Sequence, residues 1–221
     1  MATYYKATTP AGTDFRTGLV DYGAALTSGE PVVHPTTDVR SATGDAATYL
    51  SVSTSPSDCT GFRWPCRLFA VEPVDPWTPH ATDLPNKRAC LSLRVVEELP
   101  AWQVFGPNGE RVVAVIDRAS RLTPAEVDRL VAAWNAARDA ARAAAWDAAR
   151  AASRAAAWNA AGAAARAASG AAGRAASRAA AGAAAWAVSW AALAETVRDL
   201  ITPEQFELLV GPWNTVIGAS S

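Results

Sequence analysis

The sequence has few of the residues that bind metals or form disulfides, with three cysteines and two histidines among 221 residues. The three cysteines, Cys59, Cys66 and Cys90, are odd in number and lack C-x-x-C spacing, which argues against a disulfide framework and against a zinc site. We therefore expect buried thiols in a reducing compartment. No metal motif, nucleotide-binding loop or catalytic triad is evident, so we expect no cofactor and favour a non-enzymatic role.

Long hydrophobic runs are also missing. The first ten residues, MATYYKATTP, contain no apolar segment, so we expect no signal peptide. The longest uncharged run of the alanine-rich part, residues 179–194, is too short and too weakly apolar to span a bilayer, so we expect no membrane partner. The net charge of −1 provides no overall field that would select a partner.

Composition divides the chain sharply. Residues 1–121 hold both histidines, all three cysteines and all four tyrosines, whereas alanine dominates residues 122–200. Such a shift is typical of a domain boundary. We predict a β-rich globular domain over 1–121, an alanine-rich helix over 122–200, and a short C-terminal helix and tail over 201–221. The fold class is therefore α+β.

The first domain is predicted from short β-branched or aromatic segments that are bounded by turn residues. A hairpin turn is predicted over 106–109, Gly-Pro-Asn-Gly, and long loops are predicted over 8–46 and 73–89. Trp64 and Trp77 lie in a proline-rich part and are interpreted either as a cap on the core edge or as a ligand-stacking platform. The predicted strands are 2–7, 47–53, 66–72, 90–96, 101–105 and 111–116.

Capping signals predict where the helices begin. Thr123 precedes Pro124 and lies three residues before Glu126, which is the pattern of a capping box with proline in the first helical turn. Thr202 and Gln205 repeat this pattern. They predict a last helix through Val210 that ends at Gly211-Pro212.

A four-residue repeat occupies residues 133–192, in which every fourth position from 134 is Trp, Arg or Gly and most others are Ala. Alanine is the best helix former, so we favour one continuous or gently bent helix, and the glycines at 162, 170, 173 and 182 leave a hairpin as the open alternative. Because a four-residue period exceeds 3.6, it favours a right-handed coiled coil or bundle between copies of the chain. The predicted oligomer interface is Trp134, Arg138, Arg142, Trp146, Arg150, Arg154, Trp158, Trp186 and Trp190.

The combination of these tetrads with a small β-rich domain resembles the tetrapeptide-repeat proteins of actinobacterial phages. The resemblance rests on YLSVSTSPSDC at 49–59, WPCRLFAVEPV at 64–74, NKRACLSLRVVEELPAW at 86–102, and the tetrads. It implies a phage source rather than a mechanism. On this basis we expect the protein in the cytoplasm of the infected bacterial host, with association with the virion left open.

A second set of residues resembles ADP-ribosyltransferase-like folds, in which a tyrosine or Ser-Thr-Ser strand and a later glutamate line an NAD cleft. Glu72 matches the glutamate, and Lys6 or Arg16 would have to replace the arginine or histidine that such folds carry on the first strand. The residues that match the strand are Tyr49, Ser51, Ser53, Thr54 and Ser55.

Three functions follow from these patterns. The first is a phage-encoded, non-enzymatic assembly or interaction protein whose partners are other copies of itself or a host or phage protein. The second is an NAD-binding enzyme or module. The third is nucleic-acid binding by residues 148–194, which contain five arginines and no acidic residue.

Overall fold

The computed structural model describes residues 3–35, 48–59, 63–78, 85–154, 158–175 and 181–218. The chain forms two compact units, Met1–Val104 and Phe105–Ser221. The boundary predicted between residues 121 and 122 lies inside the second of these units. The two units together make an α+β protein.

Within the described residues of the first unit, six strands form one antiparallel sheet in the order β2-β6-β4-β1-β3-β5. Four of the strands predicted from sequence, those near residues 2–7, 47–53, 66–72 and 90–96, are confirmed with shifted ends. The strands are β1 (Tyr4–Thr8), β2 (Val32–Val33), β3 (Leu50–Ser53), β4 (Arg67–Val74), β5 (Lys87–Cys90) and β6 (Ser92–Leu99).

One face of this sheet is covered by a short helix, α1 (Tyr22–Ser28). The Asp21 carboxylate caps the helix by accepting from the backbone N–H of Ala24 at 2.8 Å. Tyr22 is fully buried and its ring stacks on Phe69 with centroids 6.4 Å apart. The prediction of an uninterrupted loop over 8–46 is therefore wrong, since α1 and β2 both lie in it. Residues 36–47 of that segment lie outside the described residues.

The second unit is helical. Its helices are α2 (Gly109–Ala119), α3 (Pro124–Arg154), α4 (Trp158–Ala175), α5 (Ala181–Thr196) and α6 (Pro203–Ile217).

The strands predicted over 101–105 and 111–116 are wrong, because a 3₁₀ helix occupies Ala101–Phe105 and α2 follows it. The predicted hairpin turn at 106–109 leads into α2 instead. The β-branched residues of this segment favoured a strand in the sequence analysis. The buried residues recur with helical spacing, however, and their burial along one face makes the segment a helix. The buried stripe of α2 is Val112, Val115, Ile116 and Ala119.

The prediction of one continuous alanine-rich helix is also wrong. The Ser169 and Ser189 hydroxyl oxygens lie 2.7 Å apart, and the Trp134 and Trp190 ring centroids lie 4.7 Å apart. On a continuous helix these pairs would be separated by roughly 30 Å and 84 Å, at 1.5 Å per residue. The alanine stripes explain the difference, because helices of one chain bury them against each other without the entropy of bringing two chains together. Buried members include Ala160, Ala164 and Ala168 of α4, and Ala184, Ala187 and Ala191 of α5.

Both predicted capping boxes are confirmed. Glu126 accepts from the Thr123 backbone N–H at 2.8 Å and donates its own backbone N–H to the Thr123 hydroxyl at 3.3 Å. The Gln205 side chain likewise accepts from the Thr202 backbone N–H at 3.0 Å, and the Gln205 backbone N–H donates to the Thr202 hydroxyl at 3.3 Å.

The predicted end of the last helix at Gly211-Pro212 is wrong, because α6 continues through Pro212 to Ile217. A proline inside a helix costs about 3 kcal/mol. Burial of Leu209, Val210 and Trp213 on the same helix offsets this cost.

Candidate functional site

The serine-rich strand β3 is the first place at which the structure brings predicted residues together. The ammonium of Lys6, on β1, donates to the Ser51 carbonyl of β3 at 3.0 Å. The same ammonium lies 5.4 Å from the centroid of the Tyr22 ring. Burial lowers the pKa of Lys6, and the carboxylate of Asp14 partly opposes this effect. Of the two residues that could replace the arginine or histidine of the first strand, Lys6 therefore lies on β1 beside β3. Arg16 is exposed in a turn that Asp14 caps.

Ser53 anchors a small polar cluster on the neighbouring strands. Its hydroxyl accepts from the Lys87 ammonium at 2.7 Å and donates to the Asp58 carbonyl at 3.1 Å. Burial raises the pKa of the nearby Cys59 thiol, while the positive charge of Lys87 and a hydrogen bond with Ser53 act in the opposite direction. Burial also lowers the pKa of Lys87. Because Ser53 is buried and its hydroxyl is bonded on both sides, it has the features of a structural residue rather than of an exposed nucleophile.

Thr54 and Ser55 serve a local turn. The Asp58 carboxylate accepts from the Ser55 hydroxyl at 2.5 Å and from the Thr54 hydroxyl at 3.5 Å. Its other oxygen accepts from the Asn86 side chain at 3.1 Å. Asp58 therefore holds the exit of β3 against the start of β5.

Glu72 does not join the serines. Tyr5 of β1 pairs with both Ser53 of β3 and Ala70 of β4, so β1 lies between the serine strand and the glutamate strand. At about 4.8 Å per strand, β3 and β4 lie about 10 Å apart at this level. Glu72 pairs in register with Arg94 of β6 instead. The structure brings Lys6 to β3 but keeps the glutamate away from the serines.

Of the two aromatic residues in the proline-rich part, Trp77 packs against the core of the first unit. Its ring meets the Tyr49 ring edge-on with centroids 6.0 Å apart, and its backbone bridges Ala89. This confirms the interpretation of Trp77 as a cap on the core edge. Trp64 is half-buried.

The tryptophans of the helical unit have unequal surroundings. Trp134 of α3 is 4% exposed and meets Trp190 of α5 edge-on. Trp190 in turn meets Trp186 edge-on with centroids 6.2 Å apart, and Trp186 is 58% exposed. Trp134 is thus a core residue of its own chain, and the series of three rings leads from the core to the surface.

A groove between α4 and α5 borders the outer end of this series. Its volume is about 310 Å³. The α4 wall is formed by Ala165, Arg166 and Ser169, and the α5 wall includes Trp186 and Leu193. The Ser189 hydroxyl oxygen joins the walls, since it lies 2.7 Å from the Ser169 hydroxyl oxygen and 3.2 Å from the Ala165 carbonyl oxygen of α4. The Ala185 carbonyl of its own helix lies at 2.6 Å.

Arg166 is exposed and bends back along α4. A Cβ at Gly162, one turn earlier, would meet the Arg166 Nη1 atom at 3.4 Å, so the glycine leaves room for the guanidinium beside the helix. Among the described residues that line the groove, Arg166 is the charged one. The groove is therefore largely apolar, with the positive charge of Arg166 on its α4 wall.

A second exposed surface runs along α3. Arg138, Arg142, Trp146 and Arg150 recur every fourth residue, and all four are exposed, Trp146 by 72%. Each step of four advances 40° around the helix, so Arg142 and Arg150 lie 40° on either side of Trp146, at roughly 6 Å along the axis. We call these four residues the α3 ridge. Arg154 ends α3 and Trp158 begins α4, and their side chains lie outside the described part of the chain.

Sequence reasoning missed the polar cluster around Ser53 and the α4–α5 groove. The available signal for the first was Lys6, inside the strand predicted over 2–7, because a charged side chain on a covered sheet needs partners. Lys87 gave no such signal, because it lay in the loop predicted over 73–89 and only the structure places it at the start of β5. No sequence signal revealed the groove, because it depends on how two alanine-rich helices pack.

No cluster of metal-binding side chains is present among the described residues. No helix in the described ranges has the length and apolar character needed to cross a bilayer. Comparisons of the chain with models of known families, with curated proteins and with solved structures find no match.

Proposed function

We propose that the protein is a phage-encoded, non-enzymatic assembly or interaction protein that forms a homo-oligomer through its helical unit and displays its β-rich unit. The observation that carries the proposal is the exposed Trp186 at the edge of an apolar groove. An aromatic residue of this exposure beside an apolar groove is typical of an interaction surface.

The proposed interface is the α4–α5 surface of two copies, related by a two-fold axis. In such an isologous contact each surface must complement itself. Trp186 and the groove meet this requirement, because Trp186 of each copy can enter the groove of the other. A cavity of about 150 Å³ holds a benzene ring, so a groove of about 310 Å³ accommodates an indole. Arg166 on the opposite wall would face the inserted ring in a cation–π contact. Helix packing between two bundles thus replaces the long coiled coil as the proposed mode of association.

Light scattering after size exclusion tests this proposal. We expect the wild-type chain to be a defined oligomer, Trp186→Ala to shift it to the monomer, and Trp146→Ala to leave its mass unchanged. Trp146 is the matched control, since it is more exposed than Trp186 but lies outside the groove. A monomeric wild-type chain over a broad concentration range would remove the proposal.

A second candidate, an NAD-binding module, is favoured by the contact between Lys6 and β3. Calorimetric titration of the wild-type chain with NAD and with ADP-ribose tests it. Binding that Lys6→Met weakens and Glu72→Gln leaves unchanged would support the candidate, because β1 separates Glu72 from the serines. An absence of heat with both ligands would reject it.

A further inference from the structure

The α3 ridge is distinct from the α4–α5 groove and has a different chemical character. Its tryptophan is the most exposed of the large apolar residues on the described helices, and Arg142 and Arg150 flank it one turn away on either side. The opposite face of α3 is buried through Ala144 and Ala148. A fixed helix therefore holds a planar aromatic ring between two cations at the surface.

The ion pairs on the ridge are loose and incomplete. Arg138 lies 3.6 Å from Asp139, and Arg150 lies 3.7 Å from Asp147, with exposed side chains in both pairs. Surface pairs of this kind contribute little and exchange easily with another anion. Arg142 has no ion-pair partner among the described residues. Across all the tetrads, residues 133–192 contain seven arginines and two aspartates, so the excess of positive charge extends beyond the ridge.

We propose that the α3 ridge binds single-stranded nucleic acid, with a base stacked on Trp146 and phosphates held by Arg142 and Arg150. Proteins that bind single strands combine cations that follow the backbone with aromatic rings on which bases stack, without strong sequence preference. The ridge supplies both groups, with the indole of Trp146 between Arg142 and Arg150. An unpaired base exposes the π-face that an indole needs, whereas a base inside a duplex is covered by its neighbours.

Fluorescence anisotropy tests the proposal, with a labelled oligothymidylate of about ten nucleotides, within the site sizes of single-strand binders. Because this short probe binds a single protomer, its measured affinity does not depend on whether the protein forms the proposed oligomer. For the wild-type chain we expect the logarithm of the association constant to fall linearly with the logarithm of salt concentration, by about 0.7 for each phosphate neutralised.

The variants separate stacking from charge. Trp146→Ala is expected to weaken binding by about 5- to 150-fold, the effect of losing one stacked base, and to leave the salt dependence unchanged. Arg142→Ala and Arg150→Ala are each expected to reduce the salt slope by about 0.7. The control Arg129→Ala, an exposed arginine of α3 outside the ridge, is expected to bind as the wild type does.

Three outcomes would overturn the proposal. The first is an absence of binding at low salt, about 50 mM. The second is an unchanged affinity in Trp146→Ala. The third is equal displacement of the probe by polyglutamate, which would indicate an acidic protein as the partner instead. Because Trp146 is largely exposed, its removal preserves the fold, and an unchanged helical circular dichroism signal checks this point.

Discussion

Replacing Trp134 by alanine tests the packed helical bundle directly. A buried aromatic side chain removes about 150–250 Å² from water, equivalent to about 4–6 kcal/mol at 25 cal/mol per Å². Alanine retains part of this burial, and substitutions of this kind usually cost about 3–5 kcal/mol. Trp134 is 4% exposed and contacts Trp190 edge-on, so we expect Trp134→Ala to lose free energy of unfolding in that range.

Urea unfolding followed by helical ellipticity measures the loss. With a slope of about 1–3 kcal/mol per molar urea, the midpoint should fall by roughly 1–5 M. Trp146→Ala is the matched control, since it removes the same side chain from an exposed site on the same helix, and its effect should stay within about 0.5 kcal/mol. A double-mutant cycle with Trp190→Ala should show a coupling of about 0.5–1.5 kcal/mol. Equal midpoints for Trp134→Ala and Trp146→Ala would refute the bundle, because a continuous exposed helix makes the two sites equivalent.

Three further predictions concern a cap, an ion pair and the thiols. Thr202→Ala should lower the free energy of unfolding by about 0.5–2 kcal/mol, while Thr215→Ala, near the exposed end of α6, should change it far less in the same urea titration. The Arg67 guanidinium binds both carboxylate oxygens of Glu98, at 2.8 and 2.6 Å, and this hydrogen bonding holds the pKa of Glu98 below its ordinary 4.5. The pair therefore stabilises the fold above about pH 4.5, and its contribution is lost as the pH falls through the lowered pKa of Glu98. Glu98→Gln should reduce the dependence of the free energy of unfolding on pH in this range. Burial raises the pKa of Cys66 and of Cys90 to about 12, and all three thiols are buried. They should therefore react slowly with a colorimetric thiol reagent at neutral pH and fast in urea. Rapid labelling of the native protein would contradict their burial.

The helix starts were predictable because capping depends on neighbouring residues. Thr123 with Glu126, and Thr202 with Gln205, bond as their spacing predicts. The helix α2 was not predictable from its valines and isoleucine, since β-branched residues favour strands in isolation and only burial of one helical stripe reverses this preference. The continuation of α6 through Pro212 was also not predictable, because it depends on the burial of one face of that helix.

The candidate sites divide in a similar way. The residues of the α3 ridge were predicted as interface residues from their four-residue spacing, and that spacing alone places them on one winding stripe. The burial of Trp134 and the exposure of Trp146 were not predictable, because the two tryptophans occupy the same position in the repeat. Which of them is buried depends on the position of α5, and that position is set by contacts distant in sequence.

The sequence by itself determined the α+β composition, most strands of the first unit, the helical nature of the repeat and the residues that begin its helices. These features follow from local propensity, periodicity and capping, which act over a few residues. The tertiary structure alone decided that the repeat forms packed helices of one chain, which tryptophans remain at the surface, and where the α4–α5 groove opens. Alanine stripes with nearly identical faces are equally suited to a partner chain or to their own, and only the packing of the whole helical unit selects between these arrangements.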